Sequence, residues 1–437
     1  MTNPSDDSKE QEQPQQQQKG DPSRPTSGQT IKLDKLPLEL LLLIFDYCHA
    51  FDLVRLSGVC TRFFYIARDD LLWCKRSDHT LATNQVSNRF RSRCNPLLNP
   101  RTKWQVTQNW ENGRYQKKVL FSQQTKLMPW IQLTGDLLWW SGGNTLCGYL
   151  RSDQFNQNNK VYHQEFNSDI CKFIVRDDYI ISGHRDGSIQ FWLMSMMYLE
   201  NHFYHSINRA HSRDVDAIDE TNNIIISGSA DGVVKAWTSP KNQGYMSRLP
   251  LATVRVGDRV WSLAANPSST KVAVGTSGTS GPPLNIYDIN NFANSTTVDH
   301  NWRRGAGILD MVWDDPNTLL TCGYDTCIKK WDLRTGNCVG CWSDPTDATV
   351  YSISSDYNYT MVTGTQFNCK AVLWDQRKTN YIQLYFMNLR RLSSPVYSVS
   401  FDSCHLYGAT DQNVVEVKFT GKPNVDKNYR EIIKYER

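Results

Sequence analysis

Four cysteines within residues 322–341 are candidate zinc ligands, and two of them have the spacing of a metal-binding pair. Cys338 and Cys341 are separated by two residues, and Cys322 and Cys327 precede them. Thiolates at CxxC spacing are common zinc ligands. The surrounding segment NCVGCWS, however, predicts an outer strand, in which residues three apart point to opposite faces. We therefore predict no metal site, and no redox dithiol, because that motif requires a helix start.

The other residue types found in active sites lack the necessary spacing. The nine histidines are spread along the chain without an HExxH motif, and no serine lies in a nucleophile elbow. The glycines of TSGTSGPP, residues 276–283, fit a long loop and open no helix, so they do not indicate a phosphate-binding loop. We predict a chain without catalytic residues and without a cofactor.

The aspartate that recurs along the chain belongs to a repeated unit. In residues 224–237, IIISGSADGVVKAW, apolar residues alternate on both sides of an Ala-Asp-Gly turn at Asp231. Alternation predicts two short strands, and Asp-Gly is typical of the tight turn that joins them. Asp231, like Asp186 and Asp325 in two further copies, is therefore predicted to shape a turn rather than to act as a catalytic acid.

Copies of this unit follow one another at intervals of roughly 43 residues, which is typical of the four-stranded blades of a propeller. They end at Tyr149, Trp192, Trp237, Tyr287, Trp331, Trp374 and near Val417. The pattern resembles the WD repeat over residues 117–420. The resemblance implies a mainly β, seven-bladed propeller, whose sheets bury their faces by stacking. In the fullest copy, His211, Ser227, Asp231 and Trp237 are expected to form a buried hydrogen-bonded chain.

One segment ahead of the first repeat resembles the outer strand of other repeats. Residues 117–123, KKVLFSQ, have the pattern of residues 337–343, NCVGCWS. Because the segment precedes the first blade, we predict that it supplies the outer strand of the last blade. This pairing would close the ring and remove an exposed edge.

Residues 31–76 have apolar side chains at helical spacings. Pro37 suits the first turn of one helix and Asp52 the cap of a second. The spacing alone indicates only a generic helical pair. The order of the Leu-Pro, Ile-Phe and Leu-Trp pairs, however, resembles the F-box, and this resemblance implies a small α-helical domain that docks the Skp-family adaptor of a cullin-RING ubiquitin ligase. The residues expected to contact the adaptor are Leu36, Pro37, Leu40, Ile44, Leu53, Val59 and Cys60.

The remaining segments differ in composition. Residues 1–30 are rich in Gln and Pro with almost no large apolar residue, which predicts disorder. Residues 77–116 are predicted to be a basic, helical linker whose arginines form a solvated face, with phosphate binding as the alternative. Residues 421–437 are predicted to be a charged C-terminal tail. An F-box ahead of WD repeats is similar to the domain order of the F-box/WD-repeat protein family.

Composition argues against several classes of partner. The net charge is +4 and no Lys/Arg stripe is interleaved with aromatic residues, so we predict no nucleic-acid binding. No apolar signal segment opens the chain, and its 12 cysteines form no compact framework. The apolar run of residues 36–45 is too short to span a membrane. We predict a cytoplasmic or nuclear protein without a membrane partner.

Three functions are compatible with these features. The family resemblance implies the substrate-recognition subunit of an SCF-type (Skp-cullin-F-box) E3 ubiquitin ligase. In that role the propeller holds a protein that is ubiquitinated for proteasomal degradation, and the chain contributes proximity alone. The first alternative is a propeller scaffold that assembles protein complexes without ubiquitin transfer. The second is an enzyme that uses the central mouth of the propeller.

The resemblance also indicates a binding face. In similar WD-repeat proteins, partners dock on loops before the innermost strands and on the turns ahead of the repeat aspartate. On this register we predict the substrate-binding residues Trp130, Arg185, Asp216, Trp261, Tyr324, Tyr351 and Tyr397, with Cys171, Leu309, Ala230 and Thr410 at the other inner positions. Relatives that bind phosphorylated degrons have several arginines here, because phosphate needs convergent donors. Only Arg185 matches, which argues against a phosphorylated substrate.

A basic rim is predicted around this mainly aromatic centre. Its residues are Arg213, Arg259, Arg303, Arg304, Arg390 and Arg391. The combination predicts a ligand with an apolar or aromatic anchor flanked by acidic residues. The alternative is that the aromatic residues fill the channel and that the rim is ordinary solvated surface.

Removal of residues 1–30 is expected to leave the fold and adaptor binding unchanged, because this composition offers no apolar anchor. Chemical denaturation of the chain that begins at Ile31 should show the cooperative transition of the full chain. Loss of cooperativity would show that the segment belongs to the fold.

Overall fold

A computed structural model of the chain describes residues 32–125, 128–151, 159–176, 178–194, 204–243, 247–296, 298, 300–388 and 393–430. They form two compact units, with the boundary after Leu72. The helices of these ranges are all too short or too polar to cross a membrane. The disorder predicted for residues 1–30 concerns a segment outside the described residues.

The first unit consists of short helices that pack through their apolar sides. After a 3-10 turn at Leu33–Lys35 come α1 (Leu38–Asp46), α2 (Ala50–Leu56), α3 (Thr61–Ile66) and the start of α4 (Asp70–Ser77). Leu41, Phe45, Leu53 and Phe63 are buried at its centre, where the two phenylalanine rings meet edge to face at 5.2 Å. The helical domain predicted from the sequence is confirmed.

The segment predicted to be a linker belongs to the second unit. It forms α5 (Asn88–Arg91) and α6 (Pro100–Asn112). At the end of α6, Gly113 has φ 67°, and a Cβ there would lie 2.0 Å from the Lys427 carbonyl oxygen, so only glycine fits. The buried Trp110 stacks on Phe419 at 3.6 Å and donates a hydrogen bond to the Ser403 carbonyl at 2.9 Å. The segment is therefore part of the hydrophobic core of the propeller domain.

The strands of the described residues form seven antiparallel sheets, which confirms the predicted seven-bladed propeller. Blade 1 contains β2 (Trp130–Leu133), β3 (Leu137–Gly142), β4 (Thr145–Leu150) and β5 (Lys160–Glu165), and blade 2 contains β6 (Ile170–Val175), β7 (Tyr179–His184), β8 (Ile189–Leu193) and β9 (Tyr204–Ile207). Blade 3 contains β10 (Ala217–Thr221), β11 (Ile224–Gly228), β12 (Val233–Thr238) and β13 (Ala252–Arg255), with the short α7 (Pro240–Gln243) between β12 and β13. Blade 4 contains β14 (Val260–Ala265), β15 (Lys271–Thr276), β16 (Leu284–Asp288) and β17 (Asn294–Thr296). Blade 5 contains β18 (Ile308–Asp315), β19 (Thr318–Gly323), β20 (Cys327–Asp332) and β21 (Asn337–Ser343). Blade 6 contains β22 (Val350–Ser355), β23 (Thr360–Thr365), β24 (Lys370–Asp375) and β25 (Tyr381–Phe386).

Blade 7 is completed by the segment ahead of blade 1, as predicted. Its strands β26 (Ser398–Phe401), β27 (His405–Ala409) and β28 (Asn413–Lys418) are followed in the sheet by β1 (Arg114–Ser122) and β29 (Val425–Asp426). The pairing of β1 with β28 runs from Gln116–Lys418 to Ser122–Asn413. The described part of the predicted C-terminal tail also packs on the ring, since the Tyr429 amide donates to Gln383 Oε1 at 2.8 Å. Pairing with β1 leaves β28 without an open edge, and β29 pairs with the start of β1.

The buried hydrogen-bonded chain predicted in blade 3 is present. His211 Nε2 lies 2.8 Å from Ser227 Oγ, which also accepts a hydrogen bond from Trp237 Nε1 at 2.8 Å. His211 Nδ1 lies 3.3 Å from Asp231 Oδ2, and the other Asp231 oxygen accepts the Val233 amide at 3.1 Å. Burial lowers the pKa of His211 to about 4, so the imidazole is neutral. The group connects the turn to the core and has a structural role.

Trp237→Ala is expected to lower the free energy of unfolding by about 3–5 kcal/mol, because it leaves a cavity and removes a hydrogen bond from Ser227. Denaturant titration measures the change. Arg255→Ala, at an exposed position on the same sheet, is the control and should have little effect. Equal stability of the two variants would contradict the role of the tryptophan.

The free energy of unfolding should also depend on pH through His211. Its pKa is about 4 in the fold against an ordinary 6.5, so the unfolded chain binds the proton more readily. The stabilisation is complete above pH 6.5 and decreases as the pH falls toward 4, by roughly 3 kcal/mol in total. Denaturation of the wild-type chain and of His211→Gln should give curves that converge on acidification. Parallel curves would contradict this assignment.

Candidate functional site

The first unit exposes most of the residues predicted to dock an adaptor. Leu40 is 46 % exposed, Ile44 is 40 % exposed and Val59 is 66 % exposed. Pro37 is also exposed, and Leu36 is half-buried. Large apolar side chains at this density on a small helical unit indicate a surface that a partner covers.

Two further residues of the predicted docking set are less exposed. Leu53 is 0 % exposed because it points from α2 into the centre of the helices. Its assignment to adaptor contact is wrong, since a docked partner could not reach it without unfolding the unit. Cys60 is half-buried, and its Sγ accepts the Phe63 amide at 3.4 Å, which caps α3.

The second unit has a cavity on its front face, which we define as the face where the innermost strand of each blade begins. The volume of this front cavity is about 340 Å³. All seven inner positions predicted from the first strands line it: Trp130, Cys171, Asp216, Trp261, Leu309, Tyr351 and Tyr397. The turn residues Arg185 and Tyr324 are not among its lining residues. Both residues are exposed. Their turns lie on the same face, because the Arg185 amide donates to the Asp169 carbonyl at 2.9 Å and the Tyr324 amide donates to the Gly307 carbonyl at 3.0 Å, just ahead of two innermost strands.

Aromatic rings and ion pairs form the wall of the front cavity. The rings of Tyr351 and Tyr397 meet at 5.1 Å with an interplanar angle of 67°. The Arg259 guanidinium lies 4.1 Å from the centre of the Trp261 ring. The centre is therefore aromatic, as the sequence predicted, but it also contains a cation that the sequence placed on the outer rim.

Arg259 does not belong to the basic rim, and its assignment there is wrong. Its Nε and one Nη donate to the two oxygens of Asp216 at 2.8 and 3.0 Å, and the same Nη lies 3.6 Å from Asp214. Burial raises the pKa of Asp216 to about 6, and the guanidinium opposes this rise. Of the other predicted rim residues, Arg213, Arg303 and Arg304 are exposed. Arg390 and Arg391 lie outside the described residues.

An ion pair forms the floor of the front cavity. Lys172 Nζ lies 3.5 Å from Asp310 Oδ1 and 3.0 Å from the centre of the Trp130 ring, and both charged groups are largely buried. Lys172 and Trp130 also line a second cavity of about 800 Å³ at the other ends of the innermost strands, which we call the rear cavity. The central channel of the propeller is thus divided into two parts.

Arginines of the segment predicted to be a linker line the rear cavity. Arg89 donates to the Trp313 carbonyl at 2.8 Å and lies 3.8 Å from the centre of the Tyr357 ring. Arg93 donates to the Ser355 carbonyl at 2.6 Å. Arg89 is nevertheless exposed, as a solvated face requires, whereas Arg93 is half-buried and departs from that prediction. Both residues hold α5 against the innermost strands.

Two acidic residues of the front cavity were missed by the sequence analysis. Asp214 and Asp411 line it together with Asp216. Asp411 has no ion pair within the described ranges, and its Oδ1 is buried there without a hydrogen-bond donor. Asp411 directly follows the predicted inner residue Thr410, so a search of the neighbours of each inner position would have found it.

One group of side chains has the composition of a metal site. The Cys171 thiol and the carboxylates of Asp214 and Asp216 offer ligand atoms within 4.8 Å of one another. Arg259 already binds both carboxylates, and burial raises the pKa of Cys171, so its thiol is protonated. These residues form an ion-pair network rather than a metal centre.

The coupling between Arg259 and Asp216 is testable by a double-mutant cycle. Arg259→Met and Asp216→Asn should each destabilise the chain, and their interaction free energy is expected at roughly 0.5–3 kcal/mol. Denaturant titration of the single and double variants measures it. The exposed Arg303→Met, combined with Asp216→Asn, is the control and should show additive effects. Additivity in both cycles would contradict the ion pair.

Two family models match the chain. The model described as F-box-like matches residues 33–79, which cover the helices of the first unit. The model described as WD domain, G-beta repeat matches residues 203–238, which include most of blade 3. The matches agree with the two units of the fold.

Similar proteins share this domain order. The F-box/WD repeat-containing protein 4 of Homo sapiens is 32 % identical over 406 residues, which cover 91 % of this chain and 95 % of the human protein. The Mus musculus protein of the same name is 32 % identical over 391 residues, covering 88 % and 93 %. The protein transport protein SEC31 of Chaetomium globosum is 24 % identical over 185 residues, which cover 40 % of this chain but only 14 % of SEC31. Of these three proteins, the first two match along nearly the whole chain.

Proposed function

The chain belongs to the family of F-box/WD repeat-containing protein 4, or dactylin, and from this membership we propose that it is the substrate-recognition subunit of an SCF-type E3 ubiquitin ligase. In this role the chain supplies no catalytic group. It holds a substrate protein near the ubiquitin-conjugating machinery, so that the rate enhancement comes from proximity.

The observation that supports this role most strongly is the apolar surface of the first unit. Pro37, Leu40 and Ile44 lie at the start and on the exposed side of α1, and Val59 lies just before α3. A monomeric unit of this size rarely exposes so many large apolar residues without a partner. We assign this surface, completed by the half-buried Leu36 and Cys60, to a Skp-family adaptor and through it to a cullin-RING ligase.

The substrate is proposed to bind at the front face of the propeller. The front cavity supplies aromatic residues, which dominate the energetics of many protein interfaces, within a rigid ring of strands. Trp130, Asp216, Trp261, Tyr351 and Tyr397 line this cavity. Arg185 and Tyr324 are exposed on turns of the same face and extend the proposed contact surface.

Leu40→Glu combined with Val59→Glu is expected to abolish co-purification of the adaptor and the cullin, because the two charges would be buried at the interface. Affinity capture of the full chain from cell lysate, with quantification of both partners, measures the effect. Tyr65→Glu is the matched control, since Tyr65 is 73 % exposed on α3 outside the proposed surface. If the double variant still captured adaptor and cullin at the wild-type level, this docking assignment would be wrong.

A further inference from the structure

The front cavity has more negative than positive charge, although the surface around it is rich in arginine. Its lining contains Asp214, Asp216 and Asp411. The lining cation Lys172 is paired with Asp310 below the cavity, so only Arg259 remains to balance three carboxylates. At the margin of the cavity, Arg185 lies 3.9 Å from both Asp169 and Asp214. Because Asp169 offsets the charge of Arg185, the two residues together add no net positive charge.

Asp411 is the carboxylate without compensation. Arg259 binds Asp216 through two hydrogen bonds and approaches Asp214, whereas no cation of the described chain pairs with Asp411. Its Oδ1 is buried and accepts no hydrogen bond there. Burial of an unpaired charge is costly unless a partner of opposite sign is present. A cation that enters the cavity would supply this partner.

The aromatic walls favour the same type of ligand. Tyr351 and Tyr397 line the cavity with their rings edge to face, and within the described residues no cation lies over either ring. Trp130 and Trp261 complete the wall, and Lys172 and Arg259 already contact their rings at 3.0 and 4.1 Å. Aromatic faces attract cations through the ring quadrupole, and desolvation in a cavity strengthens the attraction.

We propose that the front cavity binds one cationic side chain, an arginine or a lysine, of the substrate protein. The inference rests on the proposed function, in that the cation belongs to the protein which the ligase recognises. A volume of about 340 Å³ is at the small end of ligand cavities and fits a single side chain rather than a folded surface. The acidic substrate segment expected from the basic rim would instead meet carboxylates at the centre of this face.

Direct binding of short peptides tests the proposal on the full chain. The probes are acetylated and amidated Gly-Arg-Gly, Gly-Lys-Gly, Gly-norleucine-Gly and Gly-Glu-Gly. The chain is labelled with 5-fluorotryptophan, and the ¹⁹F resonances of Trp130 and Trp261 are assigned with Trp→Phe variants. The arginine or the lysine peptide should shift both resonances in a saturable way, and which of them binds more tightly identifies a guanidinium or an ammonium ligand. Added salt should weaken the binding.

Asp411→Asn should weaken binding of the cationic peptide by about tenfold or more, because it removes the unpaired charge while keeping the shape. Asp347→Asn is the matched control, since Asp347 is an exposed aspartate in the loop ahead of β22 and does not line the cavity. It should leave the affinity unchanged. The two variants together separate a local contact from a general change in surface charge.

Three results would overturn the proposal. Equal binding of the norleucine peptide would show an apolar anchor, preferential binding of the glutamate peptide would show that the basic rim dominates, and no shift with any peptide would show a cavity filled by water alone. These outcomes do not depend on the adaptor. If cationic peptides bind but the adaptor fails to co-purify with the wild-type chain, the proposed ligase function is wrong, whereas the proposed cation site in the front cavity is supported.

Discussion

The pairing of β1 with β28 is the interaction on which the rest of the second unit depends. A four-stranded blade buries its faces only between two neighbours, so the first and last blades must meet. The strand ahead of blade 1 completes blade 7, and Ile131 at the start of blade 1 donates its amide to Ser398 Oγ of blade 7 at 3.2 Å. Closure brings the starts of all seven innermost strands around one cavity, although they are distant in sequence.

The closed ring places charges where the surrounding protein determines their balance. Asp310 neutralises Lys172 at the floor of the front cavity, and Arg259 neutralises Asp216 at its wall. Both cations also lie over tryptophan rings, so the aromatic residues and the ion pairs form one preorganised network. Within the described residues, Asp411 remains outside this network. The cationic ligand that we propose is inferred from this balance of charge in the cavity and not from the arginines on the surface.

Much of the architecture could be predicted from the sequence, because repeats make the same physical pattern visible several times. The alternation around Asp231 predicted the strands and turn of blade 3, and the pairing of β11 with β12 and the hydrogen bond from the Val233 amide to Asp231 confirm it. The closing strand was predictable because it resembles other outer strands. The burial of Leu53 was not, since a helix with apolar residues on several sides does not reveal which of them faces its neighbours.

The candidate site was predictable in position but not in charge. The repeat register identified the inner residues, whereas the partner of each charged group depends on distances between blades. Arg259 was predicted to lie on a loop of the rim, but the neighbouring blade places Asp216 within hydrogen-bonding distance of it. The same limitation applies to Arg89 and Arg93, whose acceptors are carbonyls more than two hundred residues away.

Substrate recognition through the front cavity is tested by proximity labelling in cells with the wild-type chain and with Asp411→Asn, each with and without proteasome inhibition. Both chains should label the adaptor and the cullin equally, because Asp411 lies outside the proposed docking surface of the first unit. A set of proteins should accumulate near the wild-type chain only when the proteasome is inhibited, and this set should be lost with Asp411→Asn. Identical sets for both chains, or no protein that responds to inhibition, would contradict a substrate receptor that binds through the front cavity.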